Sequence, residues 1–211
     1  MARTPSAFGP ATLIVVTKNH PAQLVADLID LGCTDVGENR DQEASAKFEQ
    51  TQLLRPENGL KWHFIGQLQT NKVKTVLRYA SAIHSIDRAS LVQELAKQLE
   101  KQEREIDGFI ELNLTGDSGR GGVLPENLDA LVEQVLSVPR IKLRGLMAVA
   151  GLGEDPRSEF QKVLTAQRQL LELAPDATAL SMGMSEDYQI ALEIGATHIR
   201  VGSKITGPRA Y

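Results

Sequence analysis

The sequence predicts an α/β fold, a TIM barrel of eight strand–helix units that forms a single domain over residues 1–211. Short β-branched or apolar segments alternate with longer amphipathic segments along the whole chain, as they do in repeated βαβ units. No break in composition divides the 211 residues, and barrels of this length fold as one domain. An open doubly wound sheet of the same units is the alternative architecture.

The predicted strands are the short β-branched or apolar segments. In chain order they cover residues 12–17, 34–37, 61–65, 82–86, 108–114, 141–149, 177–182 and 197–201. If the strands close into a barrel, side chains of alternate residues point inwards, and the functional groups lie in the loops that follow the strands.

Seven predicted helices lie between these strands, because apolar residues recur there every three or four positions. Leu91, Leu95 and Leu99 show this spacing after the fourth strand. Pro21 and Pro125 stand at first-turn positions of the first and fifth helices, where a missing N–H costs nothing.

Composition excludes several classes of function. The 23 basic and 27 acidic residues give a net charge of −4 without a basic run, so we expect no nucleic-acid partner. Cys33 is the only cysteine, which excludes an intrachain disulfide and predicts a reducing, cytoplasmic location. The apolar run 13–16 is too short for a signal sequence or a membrane span. No metal-binding spacing such as H-E-x-x-H occurs, so no metal is predicted.

Lys18 directly follows the first strand and shares a face with Ile14 and Val16. In a barrel this face is the interior, so the lysine amine would stand at the mouth where active sites form. A partly desolvated amine there can form a Schiff base with an aldehyde. The alternative is a solvated lysine at the point where the strand meets water.

Two turns of small residues follow the seventh and eighth strands, where TIM barrels often bind phosphate. Ser185 lies in the first turn, and Gly202 and Ser203 lie in the second. Their backbone N–H groups and hydroxyls suit an anion. Alternatively, Ser185 caps a helix and Gly202 only ends a strand.

Arg200 alternates with Ile199 and Val201 in the eighth strand, so we expect the arginine inside and the branched residues against the helices. A buried arginine needs a partner, either a ligand atom or Glu38 in a structural ion pair. His63 and His84 lie inside strands and are interpreted as hydrogen-bonded core histidines.

Six motifs in this order resemble the pyridoxal phosphate homeostasis protein family, whose fold is similar to the barrel domain of alanine racemases. They are residues 15–18 (VVTK), 37–43 (GENRDQE), 62–72 (WHFIGQLQTNK), 144–147 (RGLM), 180–187 (LSMGMSED) and 199–202 (IRVG). The resemblance covers residues 12–207.

The resemblance implies that the chain binds pyridoxal 5′-phosphate (PLP), with Lys18 at the position of the Schiff-base lysine. It places Ser185, Gly202 and Ser203 at the phosphate, and Arg200 at the pyridine nitrogen. Asn39 and Met147 correspond to positions that line the cofactor. PLP-dependent apoenzymes are possible recipients.

The resemblance also implies a monomeric binding protein for PLP homeostasis rather than an enzyme. An arginine at the ring nitrogen keeps the nitrogen unprotonated, which weakens the ring as an electron sink. We expect no C-terminal β domain, since the chain reaches Tyr211 soon after the eighth strand, and no long helix over residues 1–11. The alternatives are a racemase-like PLP enzyme and a structural barrel that binds another protein. Asp117 and Arg120 stand where the family commonly has Glu and Lys, which argues against a second transfer site.

Overall fold

The computed structural model describes residues 10–117 and 119–207, and these form a closed barrel of eight parallel strands in the order β1 to β8. The TIM barrel prediction is therefore confirmed, and the open sheet is excluded. The strands are Thr12–Val16 (β1), Asp35–Glu38 (β2), Lys61–Phe64 (β3), Ala82–Ile86 (β4), Ile106–Leu112 (β5), Ile141–Ala148 (β6), Ala179–Ser181 (β7) and His198–Val201 (β8). The expected absence of a helix over residues 1–11 and the expectation for Tyr211 concern residues that lie almost entirely outside the described part.

Helices connect the strands and form the outer layer. They are Ala22–Asp30 (α1), Asp41–Leu54 (α2), Val73–Val76 (α3), Ala89–Lys101 (α4), Leu128–Leu136 (α5), Pro156–Leu173 (α6), Tyr188–Ile194 (α7) and Ser203–Thr206 (α8), with 3-10 turns at Thr70–Lys72 and Pro125–Asn127. The prediction of seven helices is one short in this part of the chain, because α8 is a single turn. Four residues are too few to show a helical spacing of apolar side chains.

The apolar core lies between the strands and the helices. Val15 and Val36 on the strands pack there with Leu91 and Leu95 of α4 and with other buried apolar residues. Ile199 and Val201 of β8 belong to the same cluster, as their alternation with Arg200 predicts. Burial of this apolar layer is the main favourable term in folding.

The barrel interior is tightly filled near the end of β1. Ile14 is fully buried, and a Cβ atom on Gly37 of β2 would lie only 2.9 Å from Ile14 Cγ2. Only glycine leaves room for this contact. The ends of β1 and β2 therefore approach each other closely and fix the start of the turn that carries Lys18.

Candidate functional site

Lys18 lies in the turn that directly follows β1 and is partly buried. Two side chains of α2 hold the backbone on either side of it. Lys47 Nζ donates to the Thr17 carbonyl oxygen at 2.6 Å, and Glu43 Oε1 accepts from the backbone N–H of Asn19. Asn19 adopts a left-handed conformation, with φ at 63°, which a short polar side chain tolerates. The backbone at Lys18 is thus held by tertiary contacts.

A buried ion pair supports this turn from the helix side. Lys47 Nζ lies 2.6 Å from Glu38 Oε1, and the two side chains are 4% and 1% exposed. The Thr17 hydroxyl donates to the same carboxylate oxygen at 2.6 Å. Burial raises the pKa of Glu38, although the Lys47 ammonium and these hydrogen bonds oppose the shift. We name Thr17, Glu38 and Lys47 the β1 clamp.

The alternative that paired Arg200 with Glu38 is wrong. Glu38 lies on the helix side of β2, where it bonds to Lys47. Arg200 lies inside the barrel, where it is 4% exposed. Its Nη1 donates to the backbone oxygen and to Oγ of Ser181, both at 2.7 Å, and its Nη2 donates to the Ala148 oxygen at 2.9 Å.

Burial lowers the pKa of Arg200 to about 10, while Glu111 and Asp187 oppose the shift. The guanidinium therefore keeps its positive charge at neutral pH. Its three bonds leave two of the five guanidinium N–H donors for other acceptors. The predicted inward orientation of this side chain is confirmed.

Ser185, Gly202 and Ser203 come together although they belong to different loops. Gly202 N–H donates to Ser185 Oγ at 3.4 Å, and Ser203 Oγ donates to the same oxygen at 3.2 Å. A Cβ atom on Gly202 would lie 3.3 Å from Val16 Cβ, so this group also approaches the end of β1. Two hydroxyls and a backbone amide thus lie close together, and Gly202 packs against Val16, which precedes Lys18 by two residues.

Met147 lies on the interior face of β6, in register with Glu111 of β5 and Ser181 of β7. It is 2% exposed. Because Ser181 bonds to Arg200, Met147 belongs to the same layer of side chains. The sequence reasoning did not select Glu111, whose pKa burial and Asp87 raise to about 7 against the opposing charges of Arg200 and Arg120.

Asn39 follows β2, and its side-chain oxygen is buried without a hydrogen-bond partner. It lines a cavity of about 570 Å3 between the loops after β2 and β3, together with Arg40, Gln67 and Lys72 among others. None of the other six predicted site residues lines this cavity. Asn39 follows β2, the strand next to β1, but the cavity that it lines includes none of the other predicted site residues.

These groups fit a phosphorylated aromatic aldehyde with a ring nitrogen. A lysine amine can bond to the aldehyde carbon, two serine hydroxyls and an amide can bond a phosphate, and a buried guanidinium can donate to the nitrogen. In the described part of the chain, no three His, Cys, Asp or Glu side chains are arranged to hold a metal ion.

Comparison with known proteins identifies the family. Residues 2–210 match the family model for the alanine racemase N-terminal domain. A pyridoxal phosphate homeostasis protein of Aquifex aeolicus is 39% identical over 95% of this chain and 88% of its own length. The chain belongs to the pyridoxal phosphate homeostasis protein family.

Solved structures agree with this assignment. PipY of Synechococcus elongatus, solved both without and with PLP bound, is 34% identical to this chain, with TM-scores of 0.87 and 0.84 and coverage of at least 92% of each chain. The alanine racemase of Corynebacterium glutamicum, at 15% identity and a TM-score of 0.68, shares the fold over 55% of its own chain. Among the described helices of this family member, none is both long and apolar enough to cross a membrane.

Proposed function

We propose that this chain binds PLP as a Schiff base on Lys18 and serves in intracellular PLP homeostasis without catalysing a reaction. The observation that carries the proposal is the convergence of Ser185, Gly202 and Ser203 beside the end of β1, the strand that precedes Lys18. One ligand with an aldehyde and a phosphate can engage both groups. The relatives' names and the PLP-bound PipY structure support this choice of ligand.

When bound, PLP supplies an electrophilic aldehyde and a conjugated ring. Arg200 would donate to the ring nitrogen from its fixed place on Ser181 and Ala148. A permanently charged donor leaves that nitrogen without a proton, which disfavours carbanion chemistry. The chain's own contribution is therefore to orient and hold the ligand. We place the protein in the cytoplasm as a monomer, with PLP-dependent apoenzymes as recipients.

An absorption spectrum of the chain with PLP, before and after borohydride reduction, tests the anchor. We expect a reducible band and, after digestion, the pyridoxyl mass on the peptide that contains Lys18. Lys18→Ala should abolish the reducible band and leave weak binding through the phosphate contacts.

Lys204→Ala is the matched control, because Lys204 is an exposed amine on the same rim, next to Ser203. The control should keep the band of the unaltered chain. An unchanged band in Lys18→Ala, or a band lost only in Lys204→Ala, would show that Lys18 is not the anchor.

A racemase-like activity is the competing function, and the shared barrel fold is the observation that favours it. Racemisation needs a second base, and Tyr79 does not supply one at the mouth. Its ring packs in the outer core, 6.0 Å from Phe48 and 6.3 Å from Trp62. Repeated exchange of deuterium at the α carbon of an added amino acid would indicate catalysis. Its absence in PLP-loaded protein would support carriage.

The third possibility is a barrel that acts by binding another protein. Capture of PLP-dependent apoenzymes by the loaded and unloaded chain separates this possibility from cofactor delivery. Delivery requires that the apoenzyme gains activity in proportion to the PLP lost by the chain, whereas a protein-binding role does not depend on bound PLP.

A further inference from the structure

A row of polar side chains runs through the barrel interior from its amino-terminal end to Arg200. His63 Nε2 lies 2.9 Å from Asp35 Oδ1, and His63 Nδ1 lies 2.9 Å from His84 Nε2. His84 Nδ1 then lies 2.8 Å from Ser181 Oγ, the atom that accepts from Arg200. We name Asp35, His63, His84 and Ser181 the interior relay.

Asp35, the residue farthest from Arg200, fixes which atoms of the interior relay donate hydrogen bonds and which accept them. Burial raises the pKa of Asp35, but hydrogen bonds from His63 and Thr34 outweigh burial and leave the pKa below its ordinary value of 3.8. The carboxylate therefore only accepts, and His63 Nε2 must carry a proton. Burial, supported by the charge of Arg200, holds the pKa of His84 well below its ordinary value, so the His84 ring is neutral.

Only one arrangement of protons satisfies every member. In this arrangement His63 Nε2 donates to Asp35, His63 Nδ1 accepts from His84 Nε2, and His84 Nδ1 accepts the hydroxyl proton of Ser181. Ser181 Oγ then presents its lone pairs to Arg200. In the reverse arrangement, His84 donates to Ser181, and the buried Ser181 hydroxyl proton loses its acceptor, which is costly.

We infer that Asp35, His63 and His84 are positioning residues for Arg200, which set Ser181 Oγ as an acceptor and thereby fix the guanidinium at the ring-nitrogen position. The inference rests on the proposed function, because it assigns Arg200 a ligand. It also explains why a polar ring as fully buried as that of His84 lies next to an apolar interior side chain such as Phe109. His84 stacks on Phe109, with ring centroids 4.2 Å apart, which fixes the plane of its ring.

Substitutions at two positions, His84 and Asp35, test the relay at different distances from the site. His84→Leu removes the acceptor for the Ser181 hydroxyl, and His84→Asn places an amide oxygen near the former Nδ1 position. Asp35→Ala removes the terminal carboxylate, which three side chains separate from Arg200. Asp107→Ala is the matched control, because Asp107 is also at the amino-terminal end of the barrel but pairs with Arg144.

We expect Asp35→Ala and His84→Leu to weaken PLP binding by about tenfold, the effect of one hydrogen bond to a charged group. The absorption maximum of bound PLP should shift in both, because the donor at the ring nitrogen moves. His84→Asn should restore much of the affinity and the maximum, and Asp107→Ala should leave both unchanged.

Thermal unfolding of each unloaded variant separates positioning from stability. If Asp35→Ala and His84→Leu only lower the melting temperature, and the folded protein binds PLP with unchanged affinity and spectrum, the inference is overturned. If the unaltered chain does not bind PLP, the proposed function fails and the inference fails with it. Binding by the unaltered chain together with unchanged variants overturns the inference alone.

Discussion

Replacement of Lys47 by methionine isolates the energetic contribution of the β1 clamp. The substitution keeps an unbranched side chain, one atom shorter than lysine, but leaves Glu38, which is 1% exposed, without its ammonium partner. Glu38 then avoids a buried negative charge by binding a proton. From its ordinary pKa of 4.5, protonation costs at most about 3.4 kcal/mol at pH 7 and about 0.7 kcal/mol at pH 5.

The lost hydrogen bond from Lys47 Nζ to the Thr17 oxygen, which is 2.6 Å long, adds about 1 kcal/mol at either pH. We therefore expect Lys47→Met to lower the free energy of unfolding by about 4 kcal/mol at pH 7 and by about 2 kcal/mol at pH 5. Urea unfolding at the two pH values measures this difference.

The double variant Lys47→Met, Glu38→Gln is the control, because it removes the carboxylate as well as the ammonium. Its loss of stability relative to the unaltered chain should be the same at pH 5 and pH 7. An equal loss at both pH values in the single variant would refute the reasoning, since it would mean that Glu38 keeps a stable charge without Lys47.

Two further predictions concern the barrel interior. Glu111→Gln should stabilise the unloaded protein at pH 8 by up to about 3 kcal/mol and have little effect near pH 4.5. The reason is that the carboxyl pKa of about 7 lies above the ordinary 4.5, so the unaltered protein loses stability as the pH rises between these values. Equal effects at both pH values in urea unfolding would contradict the raised pKa. Gly37→Ala should destabilise the fold by about 1–3 kcal/mol, because the added Cβ would lie 2.9 Å from Ile14 Cγ2 and 3.2 Å from Ile65 Cδ1. Thermal unfolding measures the effect. A loss of stability of less than about 0.5 kcal/mol would indicate that this interior is packed less tightly than the contacts suggest.

The fold was predictable because its signals are local. Short stretches of sequence show which segments form strands and which form helices. The alternation of residues in β8 was enough to place Arg200 inside the barrel and Ile199 and Val201 on its outer face. The gathering of Ser185 with Gly202 and Ser203 followed from the fold, because loops after neighbouring strands of a barrel meet at one rim.

The partners of these residues were not predictable from the sequence. Ser181 and His84 are 97 positions apart, and Ala148 and Arg200 are 52 apart, so their contacts depend on the register between strands. The assignment of Glu38 to Arg200 failed for the same reason. Gly37 is in register with His63 of β3, which points inwards, so the next residue, Glu38, must point outwards.

The two polar networks act on opposite faces of the same sheet and meet at one rim. The β1 clamp holds the Lys18 turn from the helix layer, while the interior relay holds Arg200 from within the barrel. Strands β1 and β8 are directly paired, with Ile14 in register with Arg200.

The position of the Lys18 backbone relative to the Ser203 loop therefore depends on the hydrogen-bonded register of β1 and β8. Under the proposed function, the spacing between Lys18 and the Ser203 loop selects a ligand whose aldehyde and phosphate are the same distance apart. This arrangement is consistent with the proposed function in PLP homeostasis, because binding strength that comes from preformed geometry requires no group that acts on a second substrate.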